Sequence, residues 1–100
     1  MCSKRMLFSE KLRQLREEKQ LYQKQLASVL SIDTPMYCRI EKGERRAKRE
    51  QILIIADVLN IDSEELLALW LADQVTAVVA AETNIAKRVL KIADNFLDKK

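Results

Sequence analysis

Histidine is absent from this 100-residue chain, and glycine and proline occur once each. The two cysteines, Cys2 and Cys38, stand far apart with no C-x-x-C motif, so neither a zinc site nor a disulfide framework is expected, and no other cofactor is suggested. One glycine cannot build a glycine-rich phosphate cradle, and no histidine is present to act as a general base, which makes an enzyme the least favoured class. With five aromatic residues and almost no turn punctuation, a strand-rich fold is excluded and an all-α protein is expected. No run reaches the roughly 18 uncharged apolar residues of a membrane span. The opening MCSKRMLF has basic residues with no apolar core behind them, so no signal peptide is expected, no membrane is an expected partner, and the expected compartment is the cytoplasm.

What is present is 48% apolar residues and an uneven charge. Residues 1–50 hold thirteen Lys and Arg against seven Asp and Glu, a balance of +6; residues 51–100 hold five against eight, a balance of −3. A basic half joined to an acidic half suggests a polyanion partner for one face only. One hundred residues fill one domain with a modest core, which leaves little room for a small-molecule pocket, and none is expected.

The stretch QKQLASVLSIDTPMYCRIEKG, residues 23–43, carries the most information. Leu26, Ala27 and Leu30 share one face of a helix starting near Gln23. Ala27 is small where two helices crossing over a short turn must approach closely. After the corner at Ser31, Ile32 and Asp33, a second helix has Asp33 as its N-cap, Pro35 in its first turn, Tyr37 and Ile40 pointing inward, and Gly43 as the left-handed stop. Thr34, Pro35, Cys38, Arg39 and Lys42 are left outward, a set better suited to a major groove than to a core.

These residues resemble the helix-turn-helix of the phage-repressor-like Cro/C1 or XRE class of bacterial regulators. The matching positions are Leu21, Gln23, Leu26, Ala27, Leu30 and Ile32, then Arg39-Ile40-Glu41-Lys42-Gly43 and Arg45. Ser31 departs from the usual turn glycine, which implies strain or a relaxed turn, and Tyr22 stands where Ser or Thr normally caps the helix. The string Glu65 to Asp73, with Gly43 to Glu50 before it, also resembles small regulators found beside DNA methyltransferase or restriction-modification genes. The resemblance implies a five-helix DNA-binding domain over residues 1–72 with an added C-terminal helical extension over 73–100. It further implies an ion pair between Arg16 and Glu41 that ties the first helix to the recognition helix. For base contacts it implies Thr34, Pro35, Met36, Cys38 and Arg39, with Arg39 in a bidentate contact to guanine. Phosphate contacts fall to Gln23, Lys42, Arg45, Arg46, Lys48 and Arg49, and Lys4 and Arg5 are available to touch phosphate too.

Outside the motif, a first helix over Leu7–Glu18 is expected to bury Phe8, Leu12 and Leu15. A fourth, over Arg49–Leu59, buries Ile52, Ile55, Ala56 and Leu59, while Leu53, Ile54 and Val58 widen its apolar arc. A fifth, capped by Asp62 or Ser63, turns Leu66, Leu67, Trp70 and Leu71 inward and runs to about Ala81. A sixth, from Asn84 to Leu97, aligns Ile85, Val89, Ile92 and Phe96. With Trp70, Val75, Val78 and Val79 these make an apolar surface that must be covered, either by folding back on its own domain or by pairing with a second copy, and dimerisation is the expected use. The function expected is a homodimeric, sequence-specific regulator of transcription reading a palindromic site in double-stranded DNA. The competing reading is a protein-interaction module, such as an antitoxin or an enzyme-associated DNA-targeting subunit.

Overall fold

A computed structural model describes residues 7–98, so the expectations placed on Cys2, Lys4 and Arg5 lie outside the described residues. Six helices follow one another: α1 (Leu7–Glu18), α2 (Gln23–Val29), α3 (Thr34–Glu41), α4 (Arg49–Leu59), α5 (Ser63–Val79) and α6 (Ala86–Asp98). No strand occurs among the described residues, and no helix is long and apolar enough to cross a membrane.

The core is one cluster fed by the first five helices. α1 supplies Phe8, Leu12 and Leu15, α2 supplies Leu26 and Ala27, and α3 supplies Tyr37 and Ile40. Ile52, Ile55, Ala56 and Leu59 come from α4, and Leu66 and Leu67 from α5. Each fully buried Leu or Ile contributes roughly 1.5–3 kcal/mol of transfer free energy. The apolar periodicity therefore sets which face of each helix turns inward. Leu71 departs from the expectation and remains about half exposed. Leu66, Leu67 and Trp70 already occupy the part of α5 that meets the core, and Leu71 falls beyond the edge of that arc.

The four helices α1 to α4 stop in the same way, with a left-handed residue at Gln20, Ser31, Gly43 and Asn60. In each case the following N–H bonds back five residues: Leu21 to Arg16, Ile32 to Ala27, Glu44 to Arg39 and Ile61 to Ala56, at 2.9–3.1 Å. This satisfies carbonyls that a helix end leaves orphaned. Only one of the four is glycine. Ser31 accepts the positive φ of 59° as its sequence position implied, whereas Gln20 at the same angle was not foreseen. The side chain of Asp33 caps α3 by accepting from the Met36 N–H at 2.9 Å, and Asp62 caps α5 through the Glu64 N–H at 3.1 Å. α2 has no such cap from Tyr22; instead Gln25 reaches back to the Tyr22 N–H at 2.6 Å, half of a capping box.

The start of α1 is held from a distance. Asp73, well inside α5, accepts from the Leu7 N–H at 2.8 Å and the Phe8 N–H at 2.9 Å. A carboxylate there satisfies two orphan donors and faces the positive end of the helix dipole. α5 itself runs unbroken across the expected division at residue 72, and Asp73 ties the far side of that division into the packed body.

Candidate nucleic-acid interface

α2 and α3 meet across the corner at residues 30–33, with Ala27 only 2% exposed where they approach. Tyr37, Ile40 and Glu41 form the inward face of α3. The outward residues are Pro35, Arg39 and Lys42, all exposed, and Thr34, Met36 and Cys38, all half-buried.

A buried carboxylate fixes this helix against α1 and α2. Glu41 Oε2 accepts from Arg16 Nε at 2.5 Å and from the Tyr37 hydroxyl at 2.7 Å, while its Oε1 accepts from Arg16 Nη2 at 3.2 Å and Gln23 Nε2 at 3.0 Å. Arg16 also donates from Nη1 to the Leu21 carbonyl at 2.8 Å, bracing the α1–α2 connection. Burial alone would raise the Glu41 pKa, but hydrogen bonds from Arg16, Tyr37 and Gln23 prevail and hold it below the usual carboxylate range. The hydrogen bond to Glu41 raises Arg16 in turn, against a smaller opposing effect of burial. Tyr37 is pushed up by burial first and by its bond to Glu41 second. A charge pair this buried is destabilising unless its remaining lone pairs and protons are also satisfied. Here all four donors converge on one carboxylate.

The same geometry changes the picture for two expected DNA-contacting side chains. The Gln23 amide is turned toward α3, where its Nε2 serves Glu41 and its Oε1 accepts from the Cys38 thiol at 3.0 Å. Gln23 thus braces α3 with its side chain and presents its backbone at the α2 terminus. Cys38 is half-buried in that bond and is not displayed like Arg39.

Past Gly43 the chain folds back on α3, with the N–H groups of Glu44 and Arg45 both directed at the Arg39 carbonyl, at 2.9 and 3.3 Å. This brings Arg45 beside the last turn of α3. Two residues on, Ala47 is buried, and its carbonyl accepts from Trp70 Nε1 at 2.9 Å. Trp70 therefore pins the basic loop to α5, which answers its polar N–H. Val79, only 8% exposed, is likewise taken up within the chain. On either side of the Ala47 anchor, Arg45, Arg46, Lys48 and Arg49 are exposed. Neither they nor Arg39 or Lys42 joins an ion pair among the described residues, where the only pairs are Arg13–Glu17, Arg16–Glu17 and Arg16–Glu41. Six unpaired cations thus lie along one segment of ten or so residues, while no group of side chains suited to a metal ion exists among the described residues.

A short helix braced across a tight corner, polar on its outer face and followed by a cationic loop, defines a helix-turn-helix domain. Residues 7–70 match that family, and the chain belongs to it. Among curated proteins it is similar to an uncharacterized HTH-type transcriptional regulator, YqaE, of Bacillus subtilis strain 168, with 33% identity over 61 residues. That match covers 61% of this chain and 53% of the relative, so the chain spans about half the length of the relative it matches. No solved structure matches.

Three contributions escaped the sequence reading: Asp73 on α1, Trp70 on Ala47, and Gln23 on Cys38. A signal existed for the first. Asp73 is the one charged residue between Glu65 and Glu82, and a lone carboxylate in an apolar helical run needs a partner.

Proposed function

We propose that this chain is a sequence-specific DNA-binding regulator of transcription that acts as a homodimer on a palindromic site. α3 enters the major groove with its outward face, residues 34–42, toward the bases. The observation that carries this reading is the row of six exposed, unpaired cations on and just after a helix whose inner face is locked by the Arg16–Glu41 pair. In water such a row is self-repelling, and a polyanion relieves it.

Arg39 is the base-reading residue of choice, because its planar fork fits the O6 and N7 acceptors of guanine, and Thr34, Pro35 and Met36 border it for contact with a neighbouring thymine methyl. Lys42, Arg45, Arg46, Lys48 and Arg49 hold phosphate, together with backbone N–H groups at the start of α2. Two copies place two α3 helices about 34 Å apart, one turn of duplex, with the C-terminal region beyond residue 72 joining them.

Selection from a randomised duplex pool, followed by anisotropy at two salt concentrations, tests this. A palindromic winner bound by two chains, with affinity falling steeply in salt, is the expected result. Arg39→Ala should cost about 1–3 kcal/mol at one base pair and relax specificity there, while Arg46→Ala should weaken all sequences alike. No enrichment over random DNA would defeat the reading and favour a protein partner instead.

A further inference from the structure

α6 has no buried residue, although Ile85 just before it and Val89, Ile92 and Phe96 on it recur at the spacing of a packed helix face. Within the chain the stripe is covered only in part: Ile85 and Val89 are 37% and 36% exposed, Ile92 and Phe96 62% and 76%. α5 has an unused stripe of its own: Leu71, Val75 and Val78, at i, i+4 and i+7, are 48%, 47% and 80% exposed.

Charge says what these two stripes fit. From Glu50 to Glu82 the chain has seven acidic residues and no Lys or Arg; Lys87, Arg88 and Lys91, the next cations, all lie on α6. The α5 stripe continues at its N-terminal end to Glu64, with Glu65 beside it, both exposed. On α6, Arg88 borders the apolar stripe, whereas Lys87 and Lys91 lie toward the opposite face with Asp94 and Asp98; on α5, Glu64 heads the stripe.

We propose that the second copy of this chain is the occupant of both: α6 of each protomer lies along the α5 stripe of its partner, in a reciprocal exchange about a two-fold axis. The symmetry uses each contact twice, so one apolar stripe and one charge match generate two. The inference rests on the homodimer reading and names its surface.

Sedimentation of the full chain over a range of concentrations tests both, with circular dichroism to verify the fold of each variant. The wild type should be a dimer, and Ile92→Asp, at a side chain 62% exposed within the chain, should weaken it at least 100-fold with unchanged helicity. Arg88→Glu and Glu64→Lys should each dimerise at least fivefold more weakly alone. Mixed in equal amounts, they should recover dimers, because each mixed pair restores opposite charges at both contacts. A wild type that remains monomeric overturns the homodimer reading and this inference together. A wild-type dimer indifferent to Ile92→Asp, or to the α5 charge reversal, overturns the exchange alone and leaves the homodimer standing.

Discussion

α3 and α6 are both short amphipathic helices, and they are finished in opposite ways. α3 turns Tyr37 and Ile40 into the core and leaves polar and cationic groups outside, whereas α6 buries nothing and leaves Ile92, Phe96 and Leu97 outside at 62–76% exposure. A polar outer face is stable in water and available to a charged partner. An apolar outer face is a deficit that only another surface removes. Amphipathic pattern alone therefore does not say where a helix sits; the neighbour does.

That contrast predicts that damage under α3 unfolds the protein, while damage on α6 changes only its assembly. The largest effect should come from Arg16→Ala, which strands the Glu41 carboxylate with two neutral donors. Thermal denaturation should show a loss of about 3 kcal/mol, and replacing both residues, Arg16→Met with Glu41→Leu, should be milder than the single change. Asp73→Ala comes next. It frees two N–H groups at the start of α1 and should lower stability by about 2 kcal/mol, while Asp73→Asn keeps part of the bond. Hydrogen exchange should then rise first at Leu7 and Phe8.

Acid should sharpen the comparison further. The folded-state pKa of Glu41 is depressed, so its stabilisation is fully present above the unfolded carboxylate value of about 4.3. It is lost as pH falls through the lower folded value. Glu41→Gln should flatten that part of the stability profile. A small gain is expected from Ser31→Gly, which relieves the left-handed strain at the corner, offset by glycine's greater unfolded-state freedom, for a net of about 0.5 kcal/mol by denaturant titration. Phe96→Ser, by contrast, should leave the thermal stability of the isolated chain within experimental scatter.

Much of the fold was legible because its signals are local. Asp33 and Gly43 bracket α3 through capping chemistry that acts within a few residues, and the bounds of α1 and α4 follow from apolar period and flanking polar residues. Gln20 was not legible, because a glutamine in the left-handed region has no mark in the sequence; the tertiary fit of α1 to α2 imposes it. Leu71 was misplaced because α5 is apolar nearly all round, so its period does not choose a face. Of the interface, the cationic run was plain, but the inward turn of Gln23 was not, since both roles open to it use the same amide.

By itself, the amino-acid order determined six helices, the caps at Asp33, Gly43 and Asp62, and which side of α1, α3 and α4 is apolar, since backbone hydrogen bonding and hydrophobic period are short-range properties. Only the tertiary structure decided that Glu41 collects four donors, that Trp70 anchors the basic loop at Ala47, that Asp73 caps a helix 66 residues away, and that no residue of α6 is fully buried. Each of these depends on distances between segments remote in the chain, and burial is a property of what surrounds a residue, which its position along the sequence does not specify.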